Sequence, residues 1–379
     1  MAITTIEIDP QGDTLIVLPH PPESSDSNTP IETENAEPPL SPSGHDPKDS
    51  PCPENDGETT HFKVSKKHLA VASPRARTMF AGGFKESLPQ EDGFLHWNFE
   101  PIFDPKAFLI IMNIIHGKTR SLPQQVTFEM LAYISTIVDD LQCHDAVWFF
   151  AKRWLNDIPK DIPDVICQDL VRWILISVVF DEQMSFTQST RIAIIESEDV
   201  MPTFNLPILP RITDLIDSTR QNILEQIINH IHDIMTKLCR KEAGCDFGCR
   251  SMMLGALIQE MNSALLFSPR PSKPFPGLSV RSTIESLQAL DSPDYFCPGQ
   301  KRPYSGHDES WDYCSGYKPS AYQTTKQKRI MKGENQTVDI PRTLLHHTCS
   351  LGDLIAPKMD QLHRGIKGLE LFAYGRKNF

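Results

Sequence analysis

The sequence has no run of about 18 apolar residues, the length a membrane-spanning helix needs, so no such helix is expected. Met1 to Pro10 carries acids and no apolar stretch, which excludes a secretory signal as the reading of that segment. None of the nine cysteines forms a C-x2-C pair. There is no nucleophile elbow, metalloprotease helix or glycine-rich nucleotide fingerprint. Gly82-Gly83 is no phosphate loop, because no Lys-Ser/Thr pair follows it. No local motif therefore points to a catalytic residue or a cofactor, and no enzyme is expected, though many active sites have no local signature. Cysteines without a signal read as reduced thiols, hence an intracellular protein of cytoplasm, nucleus or both.

Basic charge is scarce at one end. Residues 1–60 hold 13 acids and a single base, Lys48, a net charge of -12. Residues 61–379 hold 36 of each sign, so the formal charge of the whole chain, also -12, belongs to its first sixty residues. Nothing here provides a net positive field for nucleic acid or an anionic membrane. The short cluster Lys326, Lys328, Arg329 and Lys332 lacks interleaved aromatics and reads as a solvated loop.

What is present divides the chain. Ile6 and Ile8 alternate with polar residues, Asp9 to Asp13 is turn-rich, and Asp13 to Leu18 is a β-branched run, so residues 1–18 predict a β-hairpin. Residues 19–60 contain ten prolines with many Ser, Glu and Asp, and are expected to be a disordered insert. Order resumes over 61–158. A strand is expected at 61–64, then a helix capped by Ser65, a second started by Ser73-Pro74, and a left-handed stop at Gly82-Gly83. A strand at 93–98 follows. Asp104-Pro105 starts a helix ending at Gly117, and helices over 128–141 and through Val147 to Trp154 complete this part.

Residues 159–268 read as helical, with apolar stripes such as Leu224, Ile227, Ile228, Ile231, Ile234 and Leu238, and Met252, Leu254, Leu257, Met261 and Leu265. Residues 269–340 read as loop-rich and 341–379 as a C-terminal helical segment. The fold class expected is α+β: few short strands covered by helices, then a mainly α-helical region.

The ordered part of residues 6–156 resembles a BTB/POZ domain. The residues that carry the resemblance are Gly12-Asp13-Thr14-Leu15-Ile16-Val17, the stretch from Phe62 through His68-Leu69 to Ser73-Pro74, Gly82-Gly83-Phe84-Lys85-Glu86-Ser87, Asp104 to Phe108, and Ile115-His116-Gly117. The wording is similar to that of filamentous-fungal BTB proteins. Ser65 stands where the family has a histidine, and Ala76 where it often has a large aromatic. Only five residues precede Ile6, fewer than the leading helix of dimerising members needs, so homodimer formation stays open.

The resemblance implies a non-enzymatic protein-interaction adaptor. Members that recruit a cullin scaffold of a ubiquitin ligase use an apolar-x-Glu element, and Phe84-Lys85-Glu86 stands at that place. The alternative for these residues is that Phe84 packs into the domain's own core and Glu86 is solvated. The alternative for the protein is a nuclear transcription or chromatin regulator assembled through the BTB-like domain. Cys239, Cys245 and Cys249, with His230 and His232 upstream, offer ligand chemistry for zinc, against the ordinary reading of reduced thiols. Cys297, His307 and Cys314 form a looser group.

Overall fold

The computed structural model describes residues 3–21, 58–290, 292 and 348–371, and the backbone of short strands lying within 296–346. The first three strands are β1 (Ile3–Glu7), β2 (Thr14–Pro19) and β3 (Thr59–Val64). β2 and β3 pair antiparallel, with Pro19 opposite Thr59 and Thr14 opposite Val64. Burial alternates along both, so Ile16, Leu18, Phe62 and Val64 face the core.

The expected hairpin is corrected. β1 pairs with β3, in parallel, and not with β2. β3 lies between the two strands, so the turn from Asp9 to Asp13 crosses the end of β3 rather than closing a two-residue loop. The amides of Ile8 and Asp9 both donate to the Lys63 carbonyl at 3.0 Å. Gly12 lies so close that a Cβ there would stand 2.6 Å from the Val64 carbonyl oxygen. Lys63 Nζ holds the crossing by donating to Glu7 Oε1 at 2.9 Å and the Pro10 carbonyl at 2.7 Å.

Two helices follow, α1 (Lys66–Ala72) and α2 (Pro74–Ala81). Ser65 holds the N-cap position of α1, yet its side chain makes no capping bond. Its amide instead donates to His116 Nε2 at 3.0 Å. Ser73 caps α2 as expected, accepting from the Ala76 amide at 2.9 Å and donating to the Leu141 carbonyl. Ala76 is fully buried, so the small side chain lets α2 lie close on the core. The left-handed stop is corrected: Gly82 is extended, with φ -84° and ψ 177°. Its lack of a Cβ serves a close approach, since a Cβ there would come 2.7 Å from the Phe84 ring.

β4 (Leu95–Asn98) adds to the free side of β2 in parallel, giving the sheet order β1-β3-β2-β4. Asp104 caps α3 (Pro105–Ile115), accepting from the Ala107 amide at 2.7 Å, and Gly117 adopts φ +71° beyond its end. Phe62 and Phe108 rings stack 5.3 Å apart between sheet and α3. α4 (Phe128–Leu141) has the bounds the sequence predicts, and α5 (His144–Asp157) buries Val147, Ala151 and Trp154.

The helical region comprises α6 (Gln168–Val179), α7 (Gln183–Glu196), α8 (Pro210–Cys239) and α9 (Phe247–Ser263). The α8 stripe is as predicted. The α9 stripe is corrected to Cys249, Met253, Leu257 and Met261, because Leu265 is exposed and Met252 and Leu254 only half-buried. Within the segment expected to be loop-rich, α10 (Val280–Gln288) buries Val280, Ile284 and Leu287, with Ser279 accepting from the Ser282 amide at 3.1 Å. Five short strands follow, β5 (Phe296–Pro298), β6 (Gln300–Lys301), β7 (Trp311–Asp312), β8 (Thr324–Gln327) and β9 (Ile340–His346), with β9 paired to both β5 and β8. The last helix is α11 (Leu351–Gly365).

The two parts share one core. Phe128 of α4 and Trp173 of α6 stack at 4.7 Å, and Arg172 bridges to Glu129 at 2.8 Å. The expected insert yields Pro19 to β2 and Thr59 to β3. His20 donates its amide to the Glu58 carbonyl at 2.9 Å, which brings the described ends at Pro21 and Glu58 together. The remainder of the expected disordered segment lies outside the described residues. Among the described residues, no helix is long and apolar enough to cross a membrane.

Candidate functional site

Two groups of side chains stand out. The first follows α2. Phe84 begins a single 3-10 turn, Lys85–Ser87, closed by the Ser87 amide donating to the Phe84 carbonyl at 3.0 Å and Ser87 Oγ donating to the same oxygen at 2.6 Å. Phe84 does not enter the core: it is 55% exposed. Leu88, one turn on, is 65% exposed, and Glu86 is half-buried between them. The turn thus carries an exposed aromatic ring and an exposed leucine that flank a half-buried carboxylate along the chain. Such a patch offers an apolar anchor beside a partner for a cation.

A concave surface lies elsewhere on the same part. A groove of about 740 Å³ runs beside α1, lined by Lys67, His68, Val71, Arg77, Ile114 and Asp145 among others. Val71 is 81% exposed there. Cations and an acid share the lining with apolar side chains.

The second group is sulfur. Cys245 and Cys249 come together with Cys349, their three Sγ atoms all within 4.8 Å of one another. Cys239 is not a member of this group. It ends α8 and is exposed, so the ligand set expected from the sequence is corrected by exchanging Cys239 for Cys349. The two expected imidazoles are also elsewhere. His230 Nε2 contacts the Leu354 carbonyl at 3.1 Å, and His232 Nε2 the Leu266 carbonyl at 3.1 Å. Two residues apart on a helix, they point in different directions, and burial lowers the pKa of both.

Local geometry explains why Cys245 reaches Cys249. Gly244 adopts φ +83°, and a Cβ there would lie 2.6 Å from Arg250 Cγ and 3.5 Å from Cys249 Sγ. Asp246 then caps α9, accepting from the Cys249 amide at 2.7 Å. Cys245 is exposed overall, but local desolvation beside its sulfur neighbours pushes its thiol up to about 12, and Cys249 adds to the rise. Burial likewise raises Cys349. Cys249 Sγ also lies 3.5 Å from Met253 Sδ.

Cys349 has no local sequence signal, for it stands 100 positions after Cys249 and no short motif joins them. Arg220 did have one: it falls on the apolar stripe of α8, four residues after Ile216 and four before Leu224. The side chains of Cys297, His307, Cys314 and the basic cluster from Lys326 lie outside the described residues. No protein-family model, curated protein or solved structure matches this chain.

Proposed function

We propose that this protein is a non-enzymatic interaction adaptor of BTB/POZ type that recruits a partner to a cullin scaffold. The observation that supports it most is the exposure of Phe84. An aromatic side chain immune to its own core, flanked by Leu88 and Glu86, has the chemistry of an anchor for another protein's pocket. The order of strands and helices along residues 3–157, and the motifs quoted from the sequence, are consistent with that domain type. The helical region then carries whatever is brought to the scaffold.

The test is a pull-down of the purified full chain with a cullin scaffold. Wild type should bind, and Phe84→Ala or Glu86→Ala should each weaken binding about 30-fold, the effect of losing an interface hot spot. Both positions lie outside the core, so circular dichroism should show unchanged folding. If wild type itself fails to bind, the adaptor reading is wrong.

A further inference from the structure

We propose that Cys245, Cys249 and Cys349 form a binding site for a soft divalent cation, zinc, which ties the start of α9 to the lead-in of α11. Tetrahedral zinc with Zn–S bonds of about 2.3 Å places its sulfurs about 3.8 Å apart. The three Sγ atoms already lie within 4.8 Å of one another, so small side-chain rotations close the shell. A disulfide would engage only two of the three.

Two helix starts flank the sulfur group. Cys249 sits in the first turn of α9, whose start is capped by Asp246. Cys349 immediately precedes Ser350, which caps α11 by accepting from the Asp353 amide at 3.0 Å. Both helix N-termini therefore lie beside the sulfur group. A dication binds three thiolates and releases up to three protons to solvent, leaving a site of charge -1. Cys249 is buried, Cys349 half-buried and Cys245 exposed, so the cation enters past Cys245. Water takes the fourth position on that side.

The experiment titrates the full chain, reduced and stripped with a chelator, with Co²⁺ and then Zn²⁺. One Co²⁺ per chain should bind with thiolate-to-cobalt charge-transfer absorption, and Zn²⁺ should displace it. Cys245→Ser and Cys349→Ser should each weaken Zn²⁺ binding at least tenfold, the lower bound of ~10–100-fold known for even outer-shell partners. Cys239→Ser should bind as wild type does. Because Cys245 is exposed, its serine variant keeps the fold, and Zn²⁺ should raise the melting temperature of wild type but not of Cys245→Ser. The proposal is overturned if wild type shows no charge-transfer band, if Cys245→Ser binds Zn²⁺ undiminished, or if Cys239→Ser loses binding equally.

Discussion

Arg220 brings a full charge to a position only 1% exposed. It is tolerated because its nitrogens are satisfied. Nε and Nη2 both donate to Asp217 Oδ1, at 3.0 and 2.8 Å. Nη1 donates to the carbonyls of Glu198, Phe275 and Leu278, and Nη2 to that of Pro274. One side chain thereby fixes the loop around Phe275 onto α8. Arg220→Met would leave Asp217 and four carbonyls without this donor. Breaking a buried pair in this way costs about 3–5 kcal/mol, so the midpoint of urea unfolding should fall by that equivalent. An unchanged midpoint would show the loop to be held by other contacts.

His116 is a second residue whose chemistry can be read from its partners. Because Nε2 accepts from the Ser65 amide, the proton sits on Nδ1, which donates to the Met112 carbonyl at 2.8 Å. Burial lowers its pKa below the ordinary 6.5, with further lowering from His68 and Lys118 and opposing effects from Met112 and Asp9. The sign follows from linkage. The unfolded chain takes up the proton first, so this contribution is complete above about 6.5 and is lost as pH falls through that value toward the folded one. His61, His230 and His232 shift in the same direction. Thermal melts between pH 7 and 5 should therefore show wild type losing stability on acidification, and His116→Gln losing less. Parallel pH profiles for the two would contradict this account.

Among the elements, α7 has a polar face that receives an extended segment. Arg191 Nε donates to the Ile366 carbonyl at 3.0 Å, and the Leu369 amide to Thr190 Oγ1 at 2.9 Å. Thr187 Oγ1 donates to the Leu369 carbonyl at 3.1 Å, and the Leu371 amide to Gln183 Oε1 at 3.0 Å. Gly368 lies at the centre, where a Cβ would stand 1.7 Å from the Thr187 carbonyl oxygen. No side chain fits there. Gly368→Ala should lift the strap, cost about 2–4 kcal/mol from four bonds worth about 1 kcal/mol each, and open this segment to limited proteolysis. Resistance equal to wild type would argue against the strap being a stabilising element.

Elements also show what the sequence makes legible. Ser73 and Asp104 caps and the bounds of α4 depend on neighbours within four residues, and such signals are local. The phase of α9 was ambiguous because Met252, Met253 and Leu254 are all apolar, and the small thiol of Cys249 decides which face turns inward. α10 carried its signal in Val280, Ile284 and Leu287, obscured by the Pro/Gly-rich residues before it. Strand order was not legible. Whether β1 pairs with β2 or with β3 depends on a strand more than fifty residues distant. The sulfur group is not legible for the same reason, since Cys349 arrives from far along the chain.

At the scale of the molecule, the two parts are not independent beads. The α4 surface that carries Phe128 and Glu129 is covered by Trp173 and Arg172 of α6. Lys152 of α5 further reaches Glu182, before α7, at 2.6 Å. A chain ending at residue 158 would bare that apolar face to water. Expressed alone it should self-associate in light scattering and melt below the full chain. A monodisperse fragment with an undiminished melting temperature would show that the sheet-bearing part folds without its neighbour.

The strap on α7 also has a meaning in time. Its bonds join residues 175 to 188 positions apart. At a synthesis rate of roughly 5–20 residues per second, α7 leaves the ribosome about 10–40 s before the residues that complete it. Over that interval Gln183, Thr187, Thr190 and Arg191 stand without the backbone they bind. The sheet-bearing part can collapse early, while the helical part waits for almost the last residues described. Nascent chains of this protein therefore pass through a long half-finished stage, and that stage is where chaperone protection matters most.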